Sequence, residues 1–192
     1  MSLLFSDLFA PVNGTASPTL LLQQLAKQTD GNKCDCNTML DLLDQGADLS
    51  ARDIYQGATP IHYLAQKLSV NCLSLILAKH HGQYNGSLLN FRDNFGQTAL
   101  FRPFWQRYLC TAWKHVGDDT YATLKVLLQY DADINIPDDY GDTPLHLACR
   151  KNIVDLVDLF IRYGGDVNPQ ERGLKSLVVS TLEVEPELNS CE

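Results

Sequence analysis

Histidine and cysteine side chains are the first residues in this chain that could do chemistry, because both types bind metal ions. Candidate ligands are Cys34 and Cys36, the His80-His81 pair, Cys110 and His115. Zinc sites usually combine two close ligand pairs at characteristic spacing, and the chain has no further pair of the Cys-x2-Cys or His-x3-His kind. We therefore predict no metal site and no other cofactor.

The segment DDYGD at 138–142 gathers carboxylates that could act as an acid pair or bind calcium. A calcium loop needs ligands at alternating positions that end in a glutamate, and that glutamate is absent. Turn geometry accounts for Asp138, and solvation accounts for Asp139 and Asp142. The chain also lacks a nucleophile elbow, a phosphate-binding glycine loop and a His-Glu-x-x-His motif. We predict no catalytic residues and no enzyme activity.

The same carboxylates open the best-defined structural segment, which runs from 138 to 168. Asp138 and Gly141 favour a tight turn, and Thr143-Pro144 favours a helix start, because threonine caps free N–H groups and proline lacks one. A second helix is predicted to follow, with apolar residues on one face and Gly164 as its C-cap. Two short helices cannot bury that apolar stripe alone, so the unit must stack on similar units.

This segment resembles an ankyrin repeat of about 33 residues. The matching positions are the sequence GGDVN at 164–168 together with Asp138, Gly141, Thr143, Pro144, Leu145, His146, Leu147 and Ala148. The resemblance implies an all-α solenoid of stacked helix-turn-helix units with short hairpin or turn fingers. Divergent copies earlier in the chain indicate about four repeats with insertions.

We predict a single domain that spans residues 1–192. Its parts are an N-terminal capping repeat at 17–50, repeat two at 51–90, repeat three at 91–135, repeat four at 136–168, a C-terminal capping helix at 169–185 and an acidic tail at 186–192. The periodicity predicts helices at 19–28, 70–79 and 122–130, and Thr38 as the cap of a helix that starts at Met39. Repeat two has one extra residue between Asp53 and Gly57, so we expect its turn to be distorted.

Repeat three holds an aromatic insertion at 102–121 that contains both tryptophans. Trp105 and Tyr108 lie at helical spacing, as on an amphipathic helix. Either this helix is lengthened and its large rings, which include Phe104 and Trp113, fill an irregular core, or the rings protrude as a partner pocket. A metal-binding or enzymatic role hidden in this insertion is kept as an alternative.

The resemblance assigns a structural role to the residues of the Thr-Pro-x-His segments. Threonine and histidine are expected to hydrogen-bond to each other, while the second ring nitrogen reaches the backbone of a neighbouring repeat. Phe101 stands in the histidine position of repeat three and should close that junction by apolar packing. The structural set is Thr59, Pro60, His62, Gly96, Thr98, Gly141, Thr143, Pro144 and His146.

The resemblance also implies that a partner protein contacts the concave face, which is formed by turn tips and inner helices. Tyr55, Phe95 and Tyr140 form a predicted row of aromatic tips, whose rigid rings supply contact area at low entropic cost. Alternatively, the tips pack against one another. The predicted contacts are Arg52, Tyr55, Gln56, Ala58, Gln66, Lys67, Arg92, Asn94, Phe95, Gln97, Trp105, Pro137, Asp139, Tyr140, Asp142, Arg150 and Lys151.

The net charge of −8 is concentrated in the second part of the chain. Residues 118–192 carry 6 basic against 15 acidic side chains, whereas residues 1–117 carry 9 against 8. An acidic field repels phosphate backbones, so we expect no nucleic acid and favour a partner protein with a basic patch. Alternatively, the acidic residues only keep the fold soluble.

Cysteine usage and hydropathy give an expectation about location. The 6 cysteines are too scattered for a disulfide scaffold, and Cys72, Cys110 and Cys149 are expected to pack as core thiols, which favours a reducing compartment. No apolar run is long enough to span a bilayer, and residues 1–5 lack the basic region of a signal peptide, so we expect no membrane association.

The sequence therefore predicts a non-enzymatic scaffold for protein-protein interaction, an adaptor or an inhibitor, that is a cytoplasmic monomer. The alternative is a pathogen effector or viral ankyrin protein that binds a host protein in the host cytosol or nucleus.

Overall fold

A computed structural model describes residues 17–28, 35–80, 82, 87–107 and 117–167. Several predictions fall outside these residues: those for the first sixteen residues, the C-terminal capping helix, the acidic tail, Cys110, Tyr108 and Trp113. The described residues form helices joined by turns and contain no strand, in agreement with the all-α fold class.

The described helices pair into successive helix-turn-helix units. The α-helices are α1 Pro18–Gln28, α2 Cys36–Asp44, α3 Pro60–Gln66, α4 Val70–His80, α5 Asp118–Gln129, α6 Pro144–Arg150 and α7 Val154–Arg162, and the 3-10 helices are Ser87–Asn90 and Ala99–Arg107. α3 packs against α1 on one side and against the Ala99–Arg107 helix on the other, and α4 packs in the same way between α2 and α5. These contacts define an inner layer and an outer layer, which α6 and α7 continue as a further pair.

Two helix starts differ from the sequence prediction. α2 is capped by Asp35 and not by Thr38, since the Asp35 carboxylate accepts a hydrogen bond from the Thr38 backbone N–H at 3.2 Å. α5 begins at Asp118, four residues before the predicted start. Asp118 and Asp119 fill its first turn, where the positive end of the helix dipole stabilises carboxylates.

The first helix of repeat three is a 3-10 helix and not the regular α-helix that the amphipathic spacing indicates. Pro103 lies inside the Ala99–Arg107 segment. Proline has no N–H to donate and its ring clashes with the preceding helical turn, so an α-helix cannot continue through this position without distortion. The tighter 3-10 turn keeps the chain helical at the same place in the layer.

A single apolar core runs between the two layers. Each unit contributes side chains that are fully buried, among them Leu22, Met39, Leu64, Leu73 and Leu124. Phe104 of the 3-10 helix lies against Phe160 of α7, with 6.4 Å between ring centroids, and so joins repeats three and four. The core is therefore continuous along the stack, as expected for units that cannot bury their apolar faces alone.

The Thr-Pro-x-His segments make the contacts that the resemblance implies. His62 Nδ1 lies 2.8 Å from the Thr59 hydroxyl oxygen and accepts from the Thr59 backbone N–H at 3.2 Å. His62 Nε2 therefore carries the proton and donates to the Gln97 carbonyl oxygen of repeat three at 3.1 Å. Thr143 and His146 repeat the first contact at 2.7 Å. Phe101, in the corresponding position, is fully buried.

Burial keeps His62 neutral. Desolvation first, and then the charge of Arg102, lower the pKa of His62 from 6.5 to about 4. Protonation of the imidazole would also place a proton on Nδ1. That atom could then no longer accept the hydrogen bond from the Thr59 backbone N–H. The junction between repeats two and three therefore depends on an uncharged imidazole.

Two cysteines are paired, which corrects the prediction that Cys72 packs as a core thiol. Cys72 of α4 is fully buried, but it forms a disulfide with Cys36 at the start of α2. Cys149 keeps the predicted role: it is a free, buried thiol, and burial raises its pKa to about 11. Disulfides persist mainly in oxidising compartments, so the state of the Cys36–Cys72 pair in the producing cell is a direct test of the expected reducing location.

The free energy of unfolding should decrease as the pH falls from about 6.5 to about 4. The unfolded state binds a proton at His62 in this window and the folded state does not, so stability is complete above 6.5 and is lost on acidification. We expect a loss on the order of 1–3 kcal/mol, measured by urea denaturation at several pH values. His62→Gln should be less stable at pH 7 but should show a flatter dependence on pH; parallel curves for the two proteins would contradict the assignment.

Removing the disulfide should lower stability by about 3–4 kcal/mol, because the bond closes a loop with a sequence separation of 36 residues in the unfolded chain. Cys36→Ser is the suitable variant, since Cys36 is only partly buried. Dithiothreitol should shift the urea midpoint of the unmodified protein to that of Cys36→Ser. A reductant effect of equal size on both proteins would show that another bond is responsible.

Candidate functional site

Each described turn at the edge of the inner layer is built around a buried aspartate. Asp93 Oδ1 accepts from the backbone N–H groups of Phe95 and Gln97 at 2.8 and 2.9 Å. Asp138 Oδ1 accepts in the same way from Tyr140 and Asp142 at 2.9 and 3.0 Å. The carboxylate therefore fixes the backbone on both sides of the residue at the tip.

The turn of repeat two is distorted, as the extra residue predicts. Asp53 Oδ1 accepts from the N–H groups of Gln56 and Ala58, both at 3.0 Å, so each donor lies one residue further along than in the other turns. Two apolar side chains share this wider tip. Ile54 is 77% exposed and Tyr55 is 62% exposed. Ile54 was missed from the sequence, although the extra residue was the signal for a second tip position.

The second carboxylate oxygen of each turn aspartate has a side-chain partner. Asp53 Oδ2 accepts from the Tyr63 hydroxyl at 2.7 Å and from Lys27 Nζ at 3.0 Å. Burial raises the pKa of Asp53, but the hydrogen bonds from Tyr63, Lys27 and the turn backbone outweigh it, so the pKa lies below its usual value. Tyr63, in turn, has a raised pKa through burial and its bond to the carboxylate.

Repeat three satisfies its turn aspartate with a buried cation. Arg102 Nη2 donates to Asp93 Oδ2 at 2.6 Å, and both side chains are fully buried. Arg102 occupies the position, four residues after the repeat threonine, that holds Tyr63 in repeat two and Leu147 in repeat four. No sequence signal predicts this pair, because Asp93 and Arg102 meet only when the turn folds back on the helix.

Neighbouring turns are hydrogen-bonded to each other. The Asn94 N–H donates to the Gln56 carbonyl oxygen at 2.8 Å, and the Asp139 N–H donates to the Phe95 carbonyl oxygen at 3.2 Å. Arg92 adds a bond of 2.9 Å to the Asp139 carboxylate. Gly96 lies beneath that ion pair with φ of +72°, and a Cβ there would collide with both partners. The turns thus form one connected edge.

The predicted aromatic tips point largely into solvent from this edge. Tyr140 is 85% exposed and Phe95 is 44% exposed. Phe95 meets the edge of Trp105, with 5.6 Å between ring centroids. Ile54, Tyr55, Phe95 and Tyr140 together form a row of apolar surface along this edge, which we call the tip row.

Trp105 supports the tip row from below. Its Nε1 donates to Gln97 Oε1 at 2.8 Å, and the Arg102 guanidinium stacks 4.4 Å from its ring centroid. Phe104, one residue earlier, is buried in the core. Phe104 therefore fills the core, as the first alternative for the insertion states, whereas Trp105 is half-buried against the tip row and the partner pocket stays a prediction.

Most other predicted contacts lie on the same edge, but several are already engaged within the chain. Gln56 accepts from Arg102 at 2.9 Å, and Arg150 pairs with Asp142 at 2.7 Å. Asn94 donates through its side chain to the Tyr55 carbonyl oxygen at 3.1 Å. Ala58 is fully buried and is not available to a partner, because it lies where the distorted turn returns to the core. The prediction for Ala58 was wrong.

Two of the hollows among the described residues border the layers. One, of about 370 Å³, lies between α1 and the turn of repeat two and is lined by Leu20, Gln23, Gln24, Lys27, Arg52, Asp53, Ile54 and Tyr55. The other, of about 390 Å³, lies on the outer side and is lined by Asp118, Tyr121, Asp155 and Asp158. Among the described residues, no cluster of three or more His, Cys, Asp or Glu could hold a metal ion. Within the same ranges, no helix has the length and apolar character needed to cross a bilayer.

This geometry defines a class: an all-α solenoid of stacked helix-turn-helix units whose hydrogen-bonded turns project along one edge. Residues 109–183 match the family model described as ankyrin repeats in three copies. The chain therefore carries ankyrin repeats over this stretch. Repeats of this family mediate protein-protein interaction and are generally non-enzymatic.

Similar proteins carry the same repeats. An ankyrin repeat protein of fowlpox virus is 27% identical over 154 residues, which are 79% of this chain and 40% of the relative. An ankyrin repeat domain-containing protein of cowpox virus is 27% identical over 134 residues, covering 70% of this chain and 16% of the relative. The mouse ankyrin repeat and SOCS box protein 6 is 37% identical over 91 residues, covering 46% of this chain and 22% of the relative. The chain therefore spans less than half the length of these relatives.

Arg102→Leu should lower the free energy of unfolding by about 3–5 kcal/mol, because it leaves the Asp93 carboxylate buried without its cation. Arg102→Tyr should recover part of the loss, since a phenol at this position satisfies the aspartate in repeat two. Urea denaturation checks both. Arg150→Leu, which removes an exposed pair, is the control and should cost less than about 1 kcal/mol. Equal losses for the leucine and tyrosine variants at 102 would refute the role given to the carboxylate.

Proposed function

We propose that this chain is a non-enzymatic protein-binding module whose partner contacts the tip row and the inner helices. The observation that carries this proposal is the tip row itself, in which Ile54, Tyr55, Phe95 and Tyr140 are exposed on turns whose backbone is fixed. Large apolar side chains in contiguous exposed positions mark interaction sites more often than they serve the isolated fold.

The fixed backbone makes these side chains suitable anchors. An aromatic ring on a rigid turn loses little conformational freedom on binding, so most of the free energy gained by burying it contributes to affinity. The turn aspartates and the bonds between turns hold the spacing of the tips before a partner arrives. A partner therefore meets a surface that is already arranged.

We further propose that the chain acts as an adaptor or inhibitor rather than as an enzyme, and that a host protein is its target. The support for the second point is the likeness to fowlpox virus and cowpox virus proteins that carry the same repeats. A role for the 102–121 insertion in metal binding or catalysis has less support, because Phe104 and Trp105 serve the core and the tip row.

Affinity purification from a cell lysate tests the proposal with two matched double variants. Phe95→Ala with Tyr140→Ala removes two tips, whereas Leu75→Ala with Tyr163→Ala removes two exposed apolar side chains from the outer side. We expect the tip variant to lose specific partners and the outer variant to retain them, with quantitative mass spectrometry as the measurement. Loss of a hot-spot aromatic typically costs about 2 kcal/mol or more in binding, which is a clear depletion.

Both double variants should keep the free energy of unfolding of the unmodified protein within about 1 kcal/mol, because all four side chains are exposed. If the outer variant loses the partners and the tip variant keeps them, the binding face lies on the other side of the solenoid and the proposal fails.

A further inference from the structure

The capping repeat, formed by α1 and α2, packs chiefly against one neighbour among the described helices. α1 contacts α3 and α2 contacts α4, so both helices pack on repeat two. In a solenoid each unit is stabilised by its interfaces with adjacent units, and an end unit with one such interface opens at a lower cost in free energy than an internal unit. The contacts between the capping repeat and repeat two therefore decide how firmly this end of the described solenoid is closed.

The Cys36–Cys72 disulfide is the covalent part of this interface. It joins the first residue of α2 to α4 in the outer layer. Apolar side chains of α2 such as Leu42 add packing, and Lys79 pairs with Asp44 at 2.6 Å, but 43% and 56% of these two charged side chains are exposed. Exposed ion pairs contribute little to stability. Within the described outer layer, the disulfide is therefore the strongest single tie between α2 and α4.

α1 carries this interface to the turn of repeat two in the inner layer. Lys27 Nζ donates to Asp53 Oδ2 at 3.0 Å, and Gln23 Nε2 donates to the Ala51 carbonyl oxygen at 3.0 Å. The other oxygen of the Asp53 carboxylate fixes the backbone of the turn. Side chains of α1 also form one side of the hollow whose other side is this turn. Separation of α1 from repeat two would remove the lysine from Asp53 and open the hollow.

We propose that the Cys36–Cys72 disulfide is a redox-sensitive device that closes the capping repeat and, through α1, orders the turn of repeat two. With the bond intact, the start of α2 stays on α4, and only a short segment separates it from the end of α1 at Gln28. Once the bond is reduced, the chain between α1 and repeat two includes the whole of α2. A longer tether lowers the effective concentration of a detached helix at its binding site, so the open form gains population.

Reduction is a thiol–disulfide exchange in which Cys36 is the sulfur open to attack, because Cys36 is partly buried and Cys72 is fully buried. A thiolate of a small thiol reductant, glutathione or dithiothreitol, forms a bond to Cys36 Sγ. The Cys36–Cys72 bond breaks, and its electron pair leaves on Cys72 Sγ, which takes up a proton. A second thiolate of the reductant then displaces Cys36 from the mixed disulfide, and Cys36 Sγ is protonated. Two reductant thiols become one disulfide, and the protein gains two thiols.

The device acts on one end of the tip row. Tyr55 and its neighbour lie on the turn that α1 supports, whereas Phe95 and Tyr140 lie on turns that are set by their own buried aspartates, Asp93 and Asp138. Those two turns are also bonded to each other through backbone groups. The inference goes beyond the function proposed above and does not rest on it, because the order of a turn can be measured without a partner.

Hydrogen exchange of the full chain, followed by mass spectrometry before and after treatment with dithiothreitol, tests the inference. We expect the exchange rate to increase by at least about tenfold in residues 18–28, 36–44 and 51–58, because opening of the capping repeat is no longer limited by the cross-link. Residues 93–97 and 138–142 should change by less than about twofold, since their turns are stabilised within repeats three and four.

Three variants separate the steps of the argument. Cys36→Ser should show the exchange of the reduced protein and should not respond to dithiothreitol. Lys27→Gln, with the disulfide intact, should increase exchange at 51–58 and leave 36–44 unchanged, because it removes the cation from Asp53 without releasing α2. Asp44→Asn, which removes the exposed pair with Lys79, is the matched control and should leave both segments unchanged.

Several results would overturn the inference. Equal increases in every segment would show that reduction lowers the stability of the whole chain and has no local action. An increase at 36–44 without one at 51–58 would break the connection between the disulfide and the turn. A dithiothreitol effect that disappears in Cys34→Ser with Cys110→Ser and Cys191→Ser would belong to another cysteine pair. Because these measurements use no partner, their failure and the failure of the tip-row variants in affinity purification are distinguishable.

Discussion

A buried carboxylate in each turn is the constraint on which this molecule depends. Asp53, Asp93 and Asp138 lie where burial of an ion is costly, so both oxygens of each carboxylate require hydrogen-bond donors. One oxygen is satisfied by the turn backbone and thereby sets the shape of the tip. The other needs a side chain from elsewhere, and the chain meets this need with a phenol and a lysine, with an arginine, and with an amide. The same carboxylate oxygens therefore stabilise the fold and set the shape of the turn edge.

The same constraint explains why the repeats can differ so much. Gln97 donates to Asp138 at 3.3 Å and accepts from Trp105 at 2.8 Å, so one side chain joins a turn, the next turn and the insertion. Divergence is tolerated where the replacement still satisfies the carboxylate, as Tyr63 and Arg102 do at equivalent positions. An apolar side chain suffices at Leu147 because Gln97 reaches the aspartate of repeat four from the preceding unit. The turn of repeat four is therefore completed by a side chain of repeat three.

Local sequence signals predicted the fold well, because turn, cap and helix chemistry act over a few residues. The segment from Asp138 to Gly164 contains all of them, and α6 and α7 lie where they were expected. The failures involve contacts between distant residues. Cys36 and Cys72 are separated by 36 positions, and Arg102 finds Asp93 only after the turn closes. The type of the Ala99–Arg107 helix was mispredicted for a different reason. Pro103 is a local signal against a regular α-helix, but the prediction followed the apolar periodicity instead.

In a solenoid, the position of a residue within its repeat decides which face of the molecule it lies on, and the charged residues of this chain show the effect. Summing charge along the chain mixes turns, inner helices and outer helices, which alternate every dozen residues or so and point in different directions. Asp139 and Asp155 are close in sequence, yet one lies on a turn against Arg92 and the other borders the outer hollow. The informative sum runs over equivalent positions in successive repeats, because those residues share a surface. For the described residues, that sum is strongly negative over the outer helices and their loops, where the basic side chains of Lys79, Lys125 and Arg162 stand against eleven aspartates.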